Sequence, residues 1–86
     1  MESRIVKEIT AERERQDKKY GKDRSLPVNG WNMLIQSEIS EAINGYVLNI
    51  PQPHDYRTEM VQVAALAVAA IESYDRQQKY KDGQHD

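Results

Sequence analysis

The sequence predicts an all-α protein, a short helical bundle, on the basis of three observations. Apolar residues recur at helical spacing in three segments of the chain. No segment alternates convincingly between apolar and polar residues, as a half-buried strand would. Proline and glycine residues separate the three segments, at the places where turns are expected. With 86 residues and no internal repeat, the chain predicts one helical domain, residues 1–86.

The first two helices are bounded by residues that commonly begin or end helices. The first is expected at about residues 2–20, where an apolar stripe is visible and Gly21 follows the last turn. The second is expected at about residues 31–49, with Asn29 as its cap. Pro51 would end it, because proline cannot continue a helix.

The third helix is expected at about residues 56–79, with Asp55 as its cap. Between residues 60 and 71 only Gln62 is polar, so this helix is apolar on all sides. Such a helix must be covered on all sides, and two partner helices from so short a chain are too few. The sequence therefore predicts a homo-oligomer, a homodimer or a homotetramer, with the third helix at its centre.

The overall composition indicates which classes of partner to expect and in which cellular compartment. The net charge is -2, so no nucleic-acid or membrane partner is expected. No cysteine is present, which excludes disulfides, thiolate catalysis and cysteine-type zinc sites. Met1 leads directly into a charged segment, and no apolar run is long enough to cross a bilayer. A cytoplasmic protein without a signal peptide is therefore expected.

Polar side chains in otherwise apolar helices are the main functional signal. Glu38 and Glu41 lie three residues apart on the second helix, and Glu59 and Gln62 do the same on the third. Residues three apart share a helix face, and Glu38 falls inside the apolar stripe of its helix. A buried carboxylate is costly unless a cation or hydrogen-bond donors neutralise it. The two pairs therefore predict a divalent metal site for Mg²⁺, with Mn²⁺ as a substitute.

Each of these residues also has a structural explanation that needs no metal. Glu38 and Glu41 can belong to an ordinary charged helix surface, and Glu59 near a helix start suits the helix dipole. Gln62 can be a buried amide that bonds the backbone or a neighbouring chain. The conjunction of all four residues is more specific than any one of them.

The first helix adds polar residues on or beside its apolar stripe, and these are candidates for substrate binding. Arg13 and Lys19 could contact phosphate oxygens, and Gln16 lies on the stripe itself. Asp17 is either a further metal ligand or an ion-pair partner of Arg13. Trp31 could stack on a base, although a tryptophan that opens an amphipathic helix more often packs in the core. The alternative for the first helix is a solvated surface held by salt bridges.

These motifs resemble those of the MazG-like, all-α nucleoside triphosphate pyrophosphohydrolases. That family carries E-E-x-x-E on one helix and E-x-x-D on the next, matched here by residues 37–41 and 59–62. Small phage and bacterial members also carry an R-x-R-Q-D-x-x-x-G stretch, matched by residues 13–21, and a tryptophan at the position of Trp31. The alanine- and valine-rich run of residues 59–72 extends the match, so the resemblance covers most of the chain.

The resemblance implies an enzyme that hydrolyses a nucleoside triphosphate, NTP or dNTP, to a nucleoside monophosphate and pyrophosphate. It implies a metal site formed by four side chains: Glu38, Glu41, Glu59 and Gln62. Glu38 or Glu41 would be the base that activates water, and their spacing does not distinguish them. Two positions depart from the family pattern. Ser37 replaces the first glutamate of the motif, and Gln62 replaces an aspartate that binds metal in active members.

Three functions follow as hypotheses. The first is a Mg²⁺-dependent pyrophosphohydrolase, and the second is a nucleotide- or metal-binding relative with little turnover, because Gln62 carries no charge. The third is a helical interaction module whose acidic residues are only structural. The buried position expected for Glu38 argues against this third hypothesis. The amide of Gln62 is expected to have a defined hydrogen-bond partner, which would hold a neighbouring ligand in place.

Overall fold

The computed structural model describes residues 1–81, and in this part of the chain the fold is all-α. Helix α1 spans Ser3–Tyr20, α2 spans Val28–Ala42 and α3 spans Tyr56–Lys81. A π-helical turn, Ile43–Val47, follows α2 without a break. The expected fold class and the expected number of α-helices are therefore confirmed. None of the helices in this part has the length and apolarity that a membrane-spanning segment needs.

Helix α1 ends where the sequence indicates. Lys18 and Lys19 occupy the last turn, where positive charge interacts favourably with the helix dipole. Gly21 follows with a φ of 97°, a conformation that glycine adopts without steric cost. Its N–H donates to the carbonyl of Asp17 at 2.9 Å and so satisfies one of the free carbonyls of the last turn.

Helix α2 begins at Val28, earlier than expected, and Asn29 is not its cap. Pro27 precedes the helix, and its carbonyl accepts the N–H groups of Gly30 and Trp31 at 2.9 and 3.2 Å. Pro27 is thus the N-cap, with an extended backbone (φ -65°, ψ 160°) that starts the helix without a side-chain cap. Asn29 therefore lies inside the first turn.

The α-helix expected over residues 31–49 ends earlier, at Ala42. The helix continues from there as the wider π-helical turn Ile43–Val47. The chain then reverses near Asn49, whose φ of 56° lies in a left-handed region that asparagine tolerates. Gly45 lets the returning chain approach closely, since a Cβ at this position would lie 3.1 Å from Cγ of Gln52. Turns of this π-helical kind are frequent at functional sites.

Helix α3 begins with the expected cap. The side chain of Asp55 accepts the N–H of Thr58 at 2.8 Å, and its carbonyl accepts the N–H of Glu59 at 3.0 Å. The helix then packs against both α1 and α2. It is therefore the central element of the described fold, and residues on two of its faces can meet side chains from the other two helices.

The apolar core is small and lies between α2 and α3. Trp31 of α2 packs with Leu66 and Ala69 of α3. Val68 and Ile71, in the same apolar run of α3, are 37% and 60% exposed. The run is thus not covered on all sides within one chain, and a core of this size gives a monomer limited stability.

Candidate metal centre

Three glutamates meet between α2 and α3. Glu38 and Glu41 lie about one turn apart on α2, and Glu59 lies in the first turn of α3. Carboxylate oxygens, one from each residue, all lie within 4.8 Å of one another. The fold thus brings together the three carboxylates that the sequence indicated as metal ligands.

Glu59 is the most deeply buried of the three. It is 0% exposed, and neither Oε1 nor Oε2 has a hydrogen-bond partner among the described residues. Oε2 of Glu38 is also buried without a partner there. Since buried carboxylates are normally paired with a cation or hydrogen-bonded to donors, this arrangement requires a proton or a cation from outside the described residues.

A proton is the partner of Glu59 when no cation is bound. Burial, followed by the neighbouring carboxylates of Glu38 and Glu41, raises the pKa of Glu59 to about 8. Release of this proton would accompany the binding of a divalent cation, because metal ligands must be deprotonated. Metal binding at this cluster is therefore linked to pH.

Gln62 lies close to the cluster but lacks the partner that we expected for it. It is one turn beyond Glu59 on α3, is partly buried and lines the same cavity as Glu38. Its amide forms no hydrogen bond with the described residues. The carbonyl oxygen of Gln62 is thus free to bind a ligand, but it brings no charge.

Two cavities adjoin the carboxylates. The Glu38 cavity, of about 150 Å³, lies toward the beginning of α2 and is lined by Glu38 together with residues of α1 and α3. The Glu41 cavity, of about 430 Å³, is lined by Glu41, the π-helical turn and the segment that leads to α3. The other polar residues of the Glu38 cavity include Arg15, Gln16, Arg24 and Gln62.

Gln16 is the predicted α1 residue that reaches this site. It is 3% exposed and lines the Glu38 cavity. Its Nε2 donates to Glu12 at 3.1 Å, which leaves Oε1 buried without a partner among the described residues. Its place on the apolar stripe of α1 correctly indicated that it points inward.

Arg13 and Asp17 pair with each other instead of joining the carboxylates. Arg13 donates to Asp17 at 2.8 Å and to Glu72 of α3 at 2.7 Å. Asp17 is therefore an ion-pair partner, the second of its two expected roles, and lies outside the carboxylate cluster. Contact of Arg13 with a phosphate stays a prediction.

Lys19 and Trp31 line neither of the two cavities. Lys19 is exposed, and its Nζ lies 5.1 Å from the centre of the Tyr20 ring. Trp31 is 4% exposed and packs in the core, which is the alternative that the sequence allowed for it. Its ring therefore offers almost no free face on which a base could stack.

Three residues beside the site were not predicted. Glu12 accepts hydrogen bonds from Arg15 and Gln16, and its place four residues before Gln16 on α1 could have indicated it. Arg15 lines the Glu38 cavity from α1. Arg24 lines it from the loop between α1 and α2, where helical spacing gives no information.

Comparisons of this chain with protein-family models, curated proteins and solved structures find no match. The resemblance to the MazG-like family therefore stays a prediction that is based on short motifs. Inferences about function therefore depend on the geometry of the carboxylates and of the two cavities.

The raised pKa of Glu59 predicts that the metal-free protein loses stability as the pH rises. A glutamate of the unfolded chain releases its proton near pH 4.5, whereas folded Glu59 keeps it until the pH reaches about 8. Between these values the folded state binds more protons, so its free energy of unfolding falls by up to about 1.4 kcal/mol per pH unit. Glu59→Gln removes this titration and should flatten the decline, as measured by urea unfolding with EDTA from about pH 5 to about pH 8.

Glu14→Gln is the matched control, because it makes the same substitution at an exposed position of α1. It should keep the pH dependence of the parent protein. An equally steep decline in Glu59→Gln and in the parent would contradict the protonated, buried state of Glu59.

Proposed function

We propose that the protein is a divalent-metal-dependent nucleoside triphosphate pyrophosphohydrolase of the MazG-like kind. The observation that carries this proposal is the buried, unpartnered carboxylate of Glu59, which lies within 4.8 Å of those of Glu38 and Glu41. Three carboxylates so close together repel one another unless positive charge or a proton offsets them. The ligand atoms are all oxygens, which suits the hard ions Mg²⁺ and Mn²⁺. The motif resemblance adds the substrate class, NTP or dNTP.

The proposed reaction divides the work among the three glutamates. One water is consumed, and the bond between the α- and β-phosphoryl groups breaks to give a nucleoside monophosphate and pyrophosphate. Mg²⁺ bound by Glu38, Glu41 and Glu59 would orient the phosphates, offset developing charge and acidify the water. Glu38 or Glu41 accepts the proton of that water. Glu59 is fully buried, so its only role in this reaction is to bind the metal.

The Glu41 cavity is the proposed site of the nucleoside. Its volume of about 430 Å³ suits a small molecule. Tyr46 from the π-helical turn and Tyr56 from the start of α3 line it, with their ring centroids 5.1 Å apart. Tyr46 is 71% exposed, so a flat aromatic face is available on which a base can stack.

A nucleotide- or metal-binding protein with little turnover is the second candidate, and Gln62 favours it. The family motif has a metal-binding aspartate at this position, whereas the amide of Gln62 supplies an oxygen without charge. A centre with three carboxylates holds a divalent ion less firmly than a centre with four. Such a protein would bind the metal and the nucleotide and release little pyrophosphate.

We further propose that the protein acts as a homodimer or a homotetramer. Ile71 and Tyr74 of α3 are 60% and 52% exposed and line an apolar cavity beside Trp31. Val47 and Leu48, at the end of the π-helical turn, are 64% and 58% exposed. Exposed apolar side chains indicate an interaction site, and a second copy of the chain would cover the open face of α3.

Glu38→Gln should abolish both Mn²⁺-dependent stabilisation and Mg²⁺-dependent pyrophosphate release. It removes a charge from the centre but changes the side-chain volume little, so the helices should still form. The parent should gain about 2.7 kcal/mol of stability when Mn²⁺ is about a hundredfold above its Kd. Thermal unfolding with and without Mn²⁺ measures the first effect, and pyrophosphate release from a panel of nucleoside triphosphates measures the second.

Glu14→Gln serves again as the control with the same change of charge and should match the parent in both assays. If Mn²⁺ stabilises Glu38→Gln as much as the parent, the metal assignment is wrong. A normal Mn²⁺ effect in the parent without pyrophosphate release from any triphosphate would favour the binding protein over the enzyme.

Gln62→Asp should raise the metal affinity and any hydrolysis rate together. The sequence alone favours the opposite outcome, in which a partner holds the amide and the new charge crowds the other carboxylates. Because the described residues provide no such partner, the added carboxylate should instead strengthen the centre. Titration with Mn²⁺ and pyrophosphate release at saturating Mg²⁺ measure both quantities.

Gln36→Glu is the control for this substitution, because it adds a carboxylate at an exposed position of α2. It should change neither the Mn²⁺ affinity nor the rate. Lower activity of Gln62→Asp at neutral pH would show that the new charge raises the pKa of a neighbouring carboxyl group, contrary to this expectation.

Analytical ultracentrifugation at micromolar concentration should show a dimer or a tetramer. Ile71→Glu should shift the population toward monomer, because it places a charge in the proposed interface. Gln36→Glu adds the same charge at a polar surface position and should leave the assembly unchanged. A parent protein that sediments as a well-folded monomer would contradict the proposed oligomer.

A further inference from the structure

Buried polar atoms without a partner are concentrated in one part of the molecule. The described residues contain six: Oε1 of Gln16, Nη2 of Arg24, Nε1 of Trp31, Oε2 of Glu38 and both carboxylate oxygens of Glu59. Five of the six belong to the carboxylate cluster or to residues that line the Glu38 cavity. Native proteins contain few such atoms, and each of them requires an explanation. Their concentration here indicates a ligand that extends from the carboxylates into the Glu38 cavity.

Arg24 supplies the available positive charge in this group. Its guanidinium carbon lies 5.2 Å from the centre of the Tyr20 ring and 5.0 Å from that of the Trp31 ring. Contacts of this kind attract the cation and favour one orientation of the side chain. Nη2 has no hydrogen-bond partner, and Arg24 forms no ion pair with any of the described residues. Arg24 is therefore positioned by its aromatic neighbours and free to bind an anion.

Neither Arg15, the other cation that lines the cavity, nor the buried amide of Gln16 competes for this role. Arg15 donates to both carboxylate oxygens of Glu12, at 2.8 and 2.5 Å, so its charge is already offset. Gln16 lines the same cavity with Oε1 unpartnered, and an amide oxygen can only accept hydrogen bonds. A hydrated anion at Arg24 accounts for both free groups, since water can donate to Gln16 while the anion accepts from Arg24.

We propose that the Glu38 cavity binds the phosphate end of the substrate and that Arg24 is its anchor. The identity of the anion as a nucleotide polyphosphate rests on the proposed function, whereas the anion site itself rests on Arg24. A planar guanidinium offers paired donors that match phosphate oxygens, and Glu38, which lines the same cavity, belongs to the carboxylate cluster. The phosphates thus lie between Arg24 and the carboxylates, and the nucleoside extends past Glu41 toward Tyr46.

Inorganic pyrophosphate is the probe for this site, and Trp31, the one tryptophan of the chain, is the reporter. Because its ring lies 5.0 Å from the Arg24 guanidinium, an anion bound there should change its fluorescence. The 86-residue protein is titrated with and without Mg²⁺, and calorimetry provides an independent Kd. Arg24→Gln should raise the Kd about ten- to hundredfold through the loss of a charge-assisted hydrogen bond. Arg4→Gln, at an exposed position of α1, is the matched control and should bind as the parent does.

Equal pyrophosphate affinity of Arg24→Gln and the parent, measured by calorimetry, would overturn the assignment. No pyrophosphate binding to the parent in either condition would overturn it as well. If Arg24→Gln loses helix content, Arg24→Lys replaces it, because lysine keeps the charge but lacks the planar donor pair. Arg24→Lys should bind pyrophosphate more weakly than the parent does. Equal affinity of the two proteins would again contradict the role of the Arg24 guanidinium as anchor.

Failure of the proposed function has a different signature. Pyrophosphate binding that needs Arg24 but is indifferent to Mg²⁺ and to Glu38→Gln would refute the metal-dependent enzyme and keep the anion site. Binding that needs Mg²⁺ and Glu38 but tolerates Arg24→Gln would refute the anchor and keep the metal centre.

Discussion

The architecture of the site depends on one buried carboxylate, Glu59, that faces two others. A carboxylate in this position is unfavourable by an amount on the order of several kcal/mol unless something neutralises it. Nearby basic residues do not do so. Arg15 is paired with Glu12 and Arg13 with Asp17. Arg24 forms no ion pair with any of the described residues. The cluster is therefore neutralised in part by a proton, which Glu59 keeps until the pH reaches about 8, and it could instead hold a divalent cation.

The order of the two cavities and the carboxylate cluster follows from the directions of α2 and α3. Along α2 the Glu38 cavity comes first and the Glu41 cavity second, whereas along α3 Tyr56 comes first and Gln62 second. The two helices thus run in opposite directions, with the carboxylates between the cavities. The π-helical turn matters here because it lets the chain reverse and places Tyr46 against Tyr56. A nucleotide has the same order of parts, with charged phosphates at one end and a flat base at the other.

Local features could be predicted from the sequence, and features that arise from packing could not. Helical spacing correctly directed Gln16 toward the interior, because its stripe repeats at i, i+3 and i+4. Glu59 taken alone looked ordinary, since an acid in a first turn suits the helix dipole, and it was predicted as a ligand only together with the other three residues of the motif pairs. Its full burial arises from the packing of α3. The π-helical turn leaves no periodic signature in the composition. Arg24 lies in a loop, where the packing of two helices and not residue spacing decides its neighbours.

Helix α3 carries both Glu59 of the carboxylate cluster and the small residues of the apolar core. Ala65 and Ala69 are 0% and 5% exposed, and side chains this small let neighbouring helices approach closely. Ala69 contributes to the core beside Trp31 of α2, on the same helix that carries Glu59. Because these alanine side chains are small, little apolar volume is buried around Leu66, and one chain gains limited stability from its core. The exposed apolar side chains of α3, such as Ile71, would then be covered in the proposed oligomer.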